Sequence, residues 1–167
     1  EHVYPEQVAT EGIRGVTLED VAYADSCGCK IKLLGRAIRQ DNGKVCAFVA
    51  PHLVQGDNPL SGVEDVFNAI AVNGNAVGDT MFYGRGAGKL PTASAVVADV
   101  VDIAKDLKRS HGNDWGPGSA DLVVSSDILV SRWYVRCAAS VDEARNALGE
   151  IQVLARGGAP AGEVACL

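Results

Sequence analysis

Positive charge is in short supply in this sequence. Lysine and arginine number 15 against 21 aspartates and glutamates, a formal net charge of −6. That balance argues against nucleic acid or an anionic membrane as the main partner. Long apolar runs are missing as well, and none approaches the roughly 20 residues that a membrane helix needs. Histidine is scarce: His2, His52 and His111 stand apart from one another and from other candidate ligands. The five cysteines, Cys27, Cys29, Cys46, Cys137 and Cys166, are odd in number and irregularly spaced. This speaks against a disulfide framework and fits reduced thiols in the cytoplasm. Cys27-Gly28-Cys29 lacks the second ligand pair that a zinc site requires, so no metal is expected there. The triplet reads as a helix end followed by a small buried residue that opens a strand. The first residues, EHVYPEQVAT, do not have the build of a secretion signal. Internal repeats and low-complexity segments are also missing.

What is present is ordinary for a soluble globular protein: 47% hydrophobic and 22% charged residues. A length of 167 residues allows one domain with a real core, or one domain and a small appendage. A start without Met and an end at GEVACL lead to the expectation that this is a piece of a longer polypeptide.

Local signals place the elements. Thr17 followed three residues later by Asp20 is a short-armed capping box, and Val16 and Val21 stand at the hydrophobic-staple positions, so a short helix is expected from there to Gly28. KIKLLGRAIR and KVCAFVAPHLV flank QDNG, and Asn42-Gly43 suits the positive φ angles of a hairpin turn. Lys30, Lys32, Arg36 and Arg39 fall mostly on one parity, which reads as a solvated strand face rather than an anion site. Ser61 and Glu64 form a second capping box, and Val63, Val66, Phe67 and Ile70 follow helical spacing, so a short helix is expected there. AIAVNGNAVGDTMFYG then reads as two strands around a Gly-Asn turn. The strongest helix is expected from Thr92 to Leu107, with Val96, Val100, Ile103, Ala104 and Leu107 as its apolar stripe and Asp99, Asp102 and Asp106 opposite. Pro91 suits its first turn, and Lys105, Lys108 and Arg109 suit its last. RSHGNDWGPGSAD is a break. Beyond it come a strand in ILVSRWYVRCAA, a helix in VDEARNALGEIQVLA and a further strand in RGGAPAGEVACL.

The stretch MFYGRGAGKLPTASAVVADV is the most informative. Gly84, Gly86 and Gly88 occupy five positions just ahead of the strongest helix. The pattern looks like a phosphate-cradling loop, yet no strand-helix-strand unit follows it and no acidic residue stands in a second strand. Asp79 is expected in a turn or capping role and Tyr83 in packing. Lys89 reads as a solvated lysine and His52 as a structurally satisfied one.

ATEGIRGVTLEDVAYA, KIKLLGRA and NPLSGVEDVFNAIAVNGNAVGDTMFYGRGAGKLPTASAVVADVV occur in that order over about residues 8 to 108. Together they resemble the C-terminal part of the catalytic region of homoserine dehydrogenase. RWYVRCAASVDEARNALGEI more loosely resembles the start of an ACT-type regulatory domain, with Val141-Asp142-Glu143 where a Pro-Gly is usual. The resemblance implies an oxidoreductase that interconverts L-homoserine and L-aspartate 4-semialdehyde with NAD or NADP, on the route to threonine, methionine and isoleucine. It implies a mixed sheet in a substrate-binding and dimerisation domain over residues 1–109, a linker over 110–124 and a partial ACT-like domain over 125–167. The fold class expected is α/β, or α+β by stricter naming: a mixed, largely antiparallel sheet with helices on one face, and a β-α-β tail.

The same resemblance implies what should be sought elsewhere. The family's Rossmann domain and its catalytic acid–lysine motif precede the segment matched by Glu11-Gly12-Ile13, so no catalytic residue is assigned here and this chain alone is expected not to turn over homoserine. Cofactor contact is assigned to Gly88 first, then to Gly86 and Thr92, with the last glycine of the loop against the nicotinamide end. A homodimer is expected, with the partner and the Rossmann domain covering apolar surface. Two alternatives stand beside the enzyme reading: an amino-acid-binding regulatory module, with threonine as effector, and a purely structural dimerisation unit.

Overall fold

The computed structural model describes residues 3–107 and 116–167. Lys108, Arg109, His2, His111 and part of the linker expected over 110–124 lie outside the described residues. The chain forms two compact units. One combines the residues up to Gly56 with those from 116 onward; the other holds the residues from Asp57 to 107.

The first unit is built on a long hairpin. Strands β2 (Cys29–Arg39) and β3 (Val45–Gln55) pair antiparallel along their whole length, from Cys29 opposite Gln55 to Arg39 opposite Val45. The turn is the expected one: Gly43 has φ +81°, and the Asn42 side chain accepts the Lys44 N–H at 3.0 Å. Two short strands, β1 (Ala9–Thr10) and β6 (Val123–Val124), add to β3 in parallel and complete a four-stranded sheet.

Helix α1 (Leu18–Ser26) precedes β2. Its Thr17 box forms as the sequence implies, with Asp20 Oδ2 accepting the Thr17 N–H at 2.8 Å and the Thr17 hydroxyl at 3.0 Å. Gly28, at φ +71°, ends it, and buried Cys29 opens the strand. The cysteine triplet is therefore a helix stop and strand start, with the Cys27 thiol donating to the Ala24 carbonyl.

The C-terminal elements are β7 (Val135–Ala138), α3 (Val141–Leu148), β8 (Val153–Leu154) and β9 (Glu163–Cys166). The strands make an antiparallel sheet in the order β7-β9-β8. Ser140 and Glu143 cap α3 reciprocally, and Gly149 at φ +85° ends it. This segment does not keep its core to itself. Tyr23 of α1 is buried against Leu154 and Ala165, with Cys27, Tyr134 and Leu167 packed around them. A sheet of three short strands buries too little alone, and α1 supplies the missing face.

The second unit corrects one expectation. No helix follows Ser61. A single 3-10 turn spans Pro59–Gly62, capped by the Asn58 side chain, and Asp65 then takes φ +54°. Strand β4 (Phe67–Gly74) starts at once and pairs antiparallel with β5 (Gly78–Arg85). The helical spacing of Val63, Val66, Phe67 and Ile70 loses for a physical reason. A one- or two-turn helix is costly to nucleate, whereas Phe67 in the strand stacks flat on Tyr83 at 4.9 Å. Helix α2 (Lys89–Lys105) follows, starting three residues earlier than the sequence suggested, with Pro91 in its first turn as expected. None of its residues is buried; Val96 is 57% exposed and Ile103 63%. The fold is mixed α/β, with most strand pairs antiparallel, but the described strands fall into three sheets rather than one.

Candidate cofactor-contacting loop

The glycine stretch runs from the end of β5 into α2, and its three glycines have different reasons to lack a side chain. Gly84 lies opposite Asn68 in the hairpin, and a Cβ there would meet nothing within 4 Å. Gly86 is sterically required: a Cβ would overlap the Asn68 amide, with Asn68 Cγ at 2.9 Å. Gly88 is conformationally required. It takes φ +117° and ψ 152°, a region open in practice only to glycine, and a Cβ would stand 3.4 Å from Pro91 Cδ. Gly88 is also the N-cap of α2, and its carbonyl accepts the Thr92 N–H at 3.2 Å.

Thr92 therefore belongs to the closing hydrogen bond of the first turn, while the Lys89 and Leu90 amides come before that bond in the helix. Amides at a helix start point outward and favour negative charge. Two cations flank them. Lys89 is exposed, and Arg85 lies over the Phe67 ring, 5.1 Å from its centroid. The whole stretch from Met81 to Leu90 is open to solvent. These features suit the close approach of a flat, anionic group to bare backbone, so the residues present fit a dinucleotide. Of the three residues the sequence singles out, Gly86, Gly88 and Thr92, all lie in this one turn. Arg85 and Asn68 were not legible beforehand. The register that puts Asn68 beside Gly84 is a pairing across the hairpin, and the only local hint for Arg85 was an arginine between two glycines.

Other side chains fall into structural roles. Asp79 accepts a hydrogen bond from the Asn73 side chain across the hairpin. The His52 ring nitrogen Nδ1 lies 2.7 Å from the Ala50 carbonyl oxygen, and its ring stacks on Phe48 at 5.7 Å. Lys30 reaches Asp25 at 3.5 Å, and Arg36 lies over Phe48. Among the described residues no cluster of three or more His, Cys, Asp or Glu side chains is arranged to hold a metal, and no helix is long and apolar enough to cross a membrane.

The densest electrostatic cluster is in the first unit. Arg136 on β7 donates from Nε to Asp20 Oδ1 at 2.6 Å and from its terminal nitrogens to Glu163 Oε2 at 3.1 Å and Thr17 Oγ1 at 3.2 Å. Tyr134 donates to Asp20 at 2.8 Å; Tyr23 and Arg156 donate to Glu163 at 3.0 and 2.7 Å. Burial alone would raise the Asp20 pKa, but hydrogen bonds from Arg136, the Thr17 amide and Tyr134 outweigh it and hold the carboxyl well below the usual range. Burial and the Asp20 carboxylate push the Tyr134 hydroxyl well above its usual pKa. The Arg156 hydrogen bond, against burial, lowers Glu163.

Comparison with known proteins completes the picture. The homoserine dehydrogenase family model matches residues 1–101. The homoserine dehydrogenase of Bacillus subtilis is 45% identical over 133 residues, covering 78% of this chain and 30% of its own length. That of Neisseria gonorrhoeae is 38% identical over 152 residues, covering 86% and 34%. Among solved structures, homoserine dehydrogenase from S. aureus superposes with a TM-score of 0.73 at 34% identity, over 99% of this chain and 42% of that one. The enzyme from Thiobacillus denitrificans gives 0.73 at 33% identity, over 96% and 40%. The chain thus spans about a third of the length of these curated relatives. It belongs to the homoserine dehydrogenase family.

Proposed function

We propose that this chain is the substrate-side and dimerisation part of an NAD(P)-dependent oxidoreductase that interconverts L-homoserine and L-aspartate 4-semialdehyde, serving threonine, methionine and isoleucine biosynthesis in the cytoplasm. The observation that carries this reading is the conformation of Gly88, held where only glycine is comfortable, at the N-terminus of α2 and open to solvent. The cofactor, when bound, supplies hydride transfer. The chain's own part is to leave bare backbone at Gly86 and Gly88 for the nicotinamide end, and to offer the amides and cations of the α2 start to negative charge. The acid–base group and the pyrophosphate cradle belong to the remainder of the protein, and the chain by itself is inactive on this reading. The family's alternating use of NAD and NADP is settled in the nucleotide domain. A nucleotide domain and a second subunit are the partners, and the exposed apolar stripe of α2 is the surface that supports a docking domain.

The test uses the full-length protein. Gly88→Ala forces the backbone out of its glycine-only region and should weaken cofactor binding about tenfold, roughly 1.4 kcal/mol, while the KM for homoserine stays within about twofold. Unchanged cofactor affinity in a folded Gly88→Ala protein would overturn the assignment.

A second reading concerns the β7-α3-β8-β9 segment, whose strand-helix-strand order supports an ACT-like module that binds an amino-acid effector. Calorimetry with millimolar threonine tests it, and the absence of heat at that concentration rejects it.

A further inference from the structure

We propose that Arg136 is the positioning residue of a latch that makes helix α1 and the C-terminal sheet open and close as one element. Strain or ligand binding in the C-terminal segment is then felt inside the region matched by the family model. The inference does not depend on the cofactor assignment.

The argument starts from what one guanidinium does. Arginine has five N–H donors in a rigid plane, suited to meeting two carboxylates at once. Arg136 uses this fork in two directions. It meets Asp20 of α1 through Nε and a second nitrogen, at 2.6 and 3.4 Å, and Glu163 of β9 through another, at 3.1 Å. The two carboxylates come from elements far apart in sequence, and both are largely withdrawn from water, their side chains 10% and 14% exposed. With Arg136 between them, they attract a common cation. Without it, Asp20 would lose its charge partner while Glu163 keeps Arg156, and closing α1 on the sheet would bury an uncompensated carboxylate.

Asp20 ties this joint to the helix itself. One of its oxygens accepts from Arg136 and Tyr134, and the other accepts the Thr17 amide that begins α1. A carboxylate that leaves the latch therefore also leaves the capping box, so opening the joint loosens the first turn of α1. On the far side Glu163 opens β9 and is held by Tyr23, again from α1, and by Arg156, whose guanidinium lies 5.2 Å from the Tyr23 ring centroid. Every polar side chain in the cluster thus touches both the helix and the sheet, directly or through one neighbour. The family model ends at residue 101, and Tyr134, Arg136, Arg156 and Glu163 all lie beyond it. Among the described residues, the latch is a polar connection that crosses from the matched region to the β7-α3-β8-β9 segment.

Hydrogen–deuterium exchange on the whole chain tests the proposal, because it reads each element separately. In Arg136→Met, which keeps an apolar stem and removes the charge, protected amides of α1 and of β9 should speed up together, by about a hundredfold. Amides in the middle of the β2–β3 hairpin should change by no more than a few-fold. Arg136→Lys should restore only part of the protection, since a point charge cannot bridge both carboxylates in the same geometry. Acceleration in α1 without β9, equal acceleration throughout the hairpin, full recovery with lysine, or no change in either element would each overturn the latch. If Arg136→Met does not fold, Tyr134→Phe decides. Loss of that single hydroxyl should speed exchange several-fold in α1 and β9 together, and wild-type rates in both would overturn the proposal.

Discussion

Replacing Asp20 with alanine should cost more than its place in the first turn of a short surface helix suggests. Asp20 is 8% exposed and accepts hydrogen bonds from the Thr17 amide and hydroxyl, from Tyr134 and from Arg136. The capping contribution alone is about 1 kcal/mol. Removing one partner of a withdrawn ion pair costs about 3 kcal/mol or more, because the other charge is left behind. Arg136 keeps Glu163, so the lower end applies, and the two effects overlap because they share one carboxylate. A total of about 3 kcal/mol follows from these terms. With a urea slope of about 2 kcal/mol per molar, the unfolding midpoint of the first unit should fall by about 1.5 M at pH 7. Asp20→Asn keeps an acceptor for the Thr17 amide and loses only the charge, so it should fall by roughly half as much. Equilibrium urea unfolding followed by far-UV circular dichroism measures both. A shift below about 0.5 M for the alanine variant would show that Arg136 and Glu163 hold the joint without Asp20, and the argument would fail.

Acid should act through the same groups. Asp20 and Glu163 both have carboxyls held below their ordinary range, so unfolding increases their affinity for protons. Their contribution is complete above the unfolded values near 4 and is lost as pH falls through the folded ones. Urea midpoints should stay level from pH 7 to about 5 and drop below about 4; a rise in that acid range contradicts the assignment. At the other helix, Ser140→Ala removes the side chain that accepts the Glu143 amide at 3.2 Å. It should cost about 1 kcal/mol, read as roughly fivefold faster exchange in α3 with β4 and β5 unaffected. Gly88→Ala should cost about 1 to 3 kcal/mol in the second unit even without cofactor, measurable as a lower thermal midpoint.

How much of this was legible depended on the range of the signal. The Thr17 box and the Asn42-Gly43 turn are written in three or four adjacent residues, and each forms where the sequence places it. The Ser61–Glu64 box has the same local grammar and fails. Its decision is taken at distance, where Phe67 meets Tyr83 across the hairpin and Asp65 turns the chain with a positive φ. Gly88 could be picked out as a glycine before a helix, but not its particular backbone region, which depends on the turn into Pro91. The contact of Arg136 with Asp20, separated by 116 positions, left no trace in any local pattern. Neither did the sharing of a core between α1 and the C-terminal strands, because Tyr23 reads as an ordinary helix tyrosine until Leu154 and Ala165 are seen beside it.

The two units differ in what they leave unfinished. In the first, charges brought out of water meet partners within the same unit, and its largest fully buried side chain, Tyr23, has its hydroxyl satisfied by Glu163. In the second, the apolar face of α2 has no such closure: Val96, Val100 and Ile103 repeat at helical spacing and, with Leu107 just past the helix end, all remain more than half exposed. Single exposed aliphatics are common, but a stripe along the second half of a 17-residue helix is a surface patterned for burial. Covering those four at about 1.5 kcal/mol each would contribute about 6 kcal/mol, comparable to the whole stability of a small domain. On the proposed reading the nucleotide domain is that cover. The loop of Gly84, Gly86 and Gly88 leads directly into the helix, so the docking that buries the stripe also fixes the loop against the cofactor-bearing domain. Removing the stripe with Val96→Ser and Val100→Ser in the full-length protein should therefore weaken cofactor binding without touching the loop. Cofactor affinity that survives in a folded double variant would separate the loop from the helix and refute the coupling.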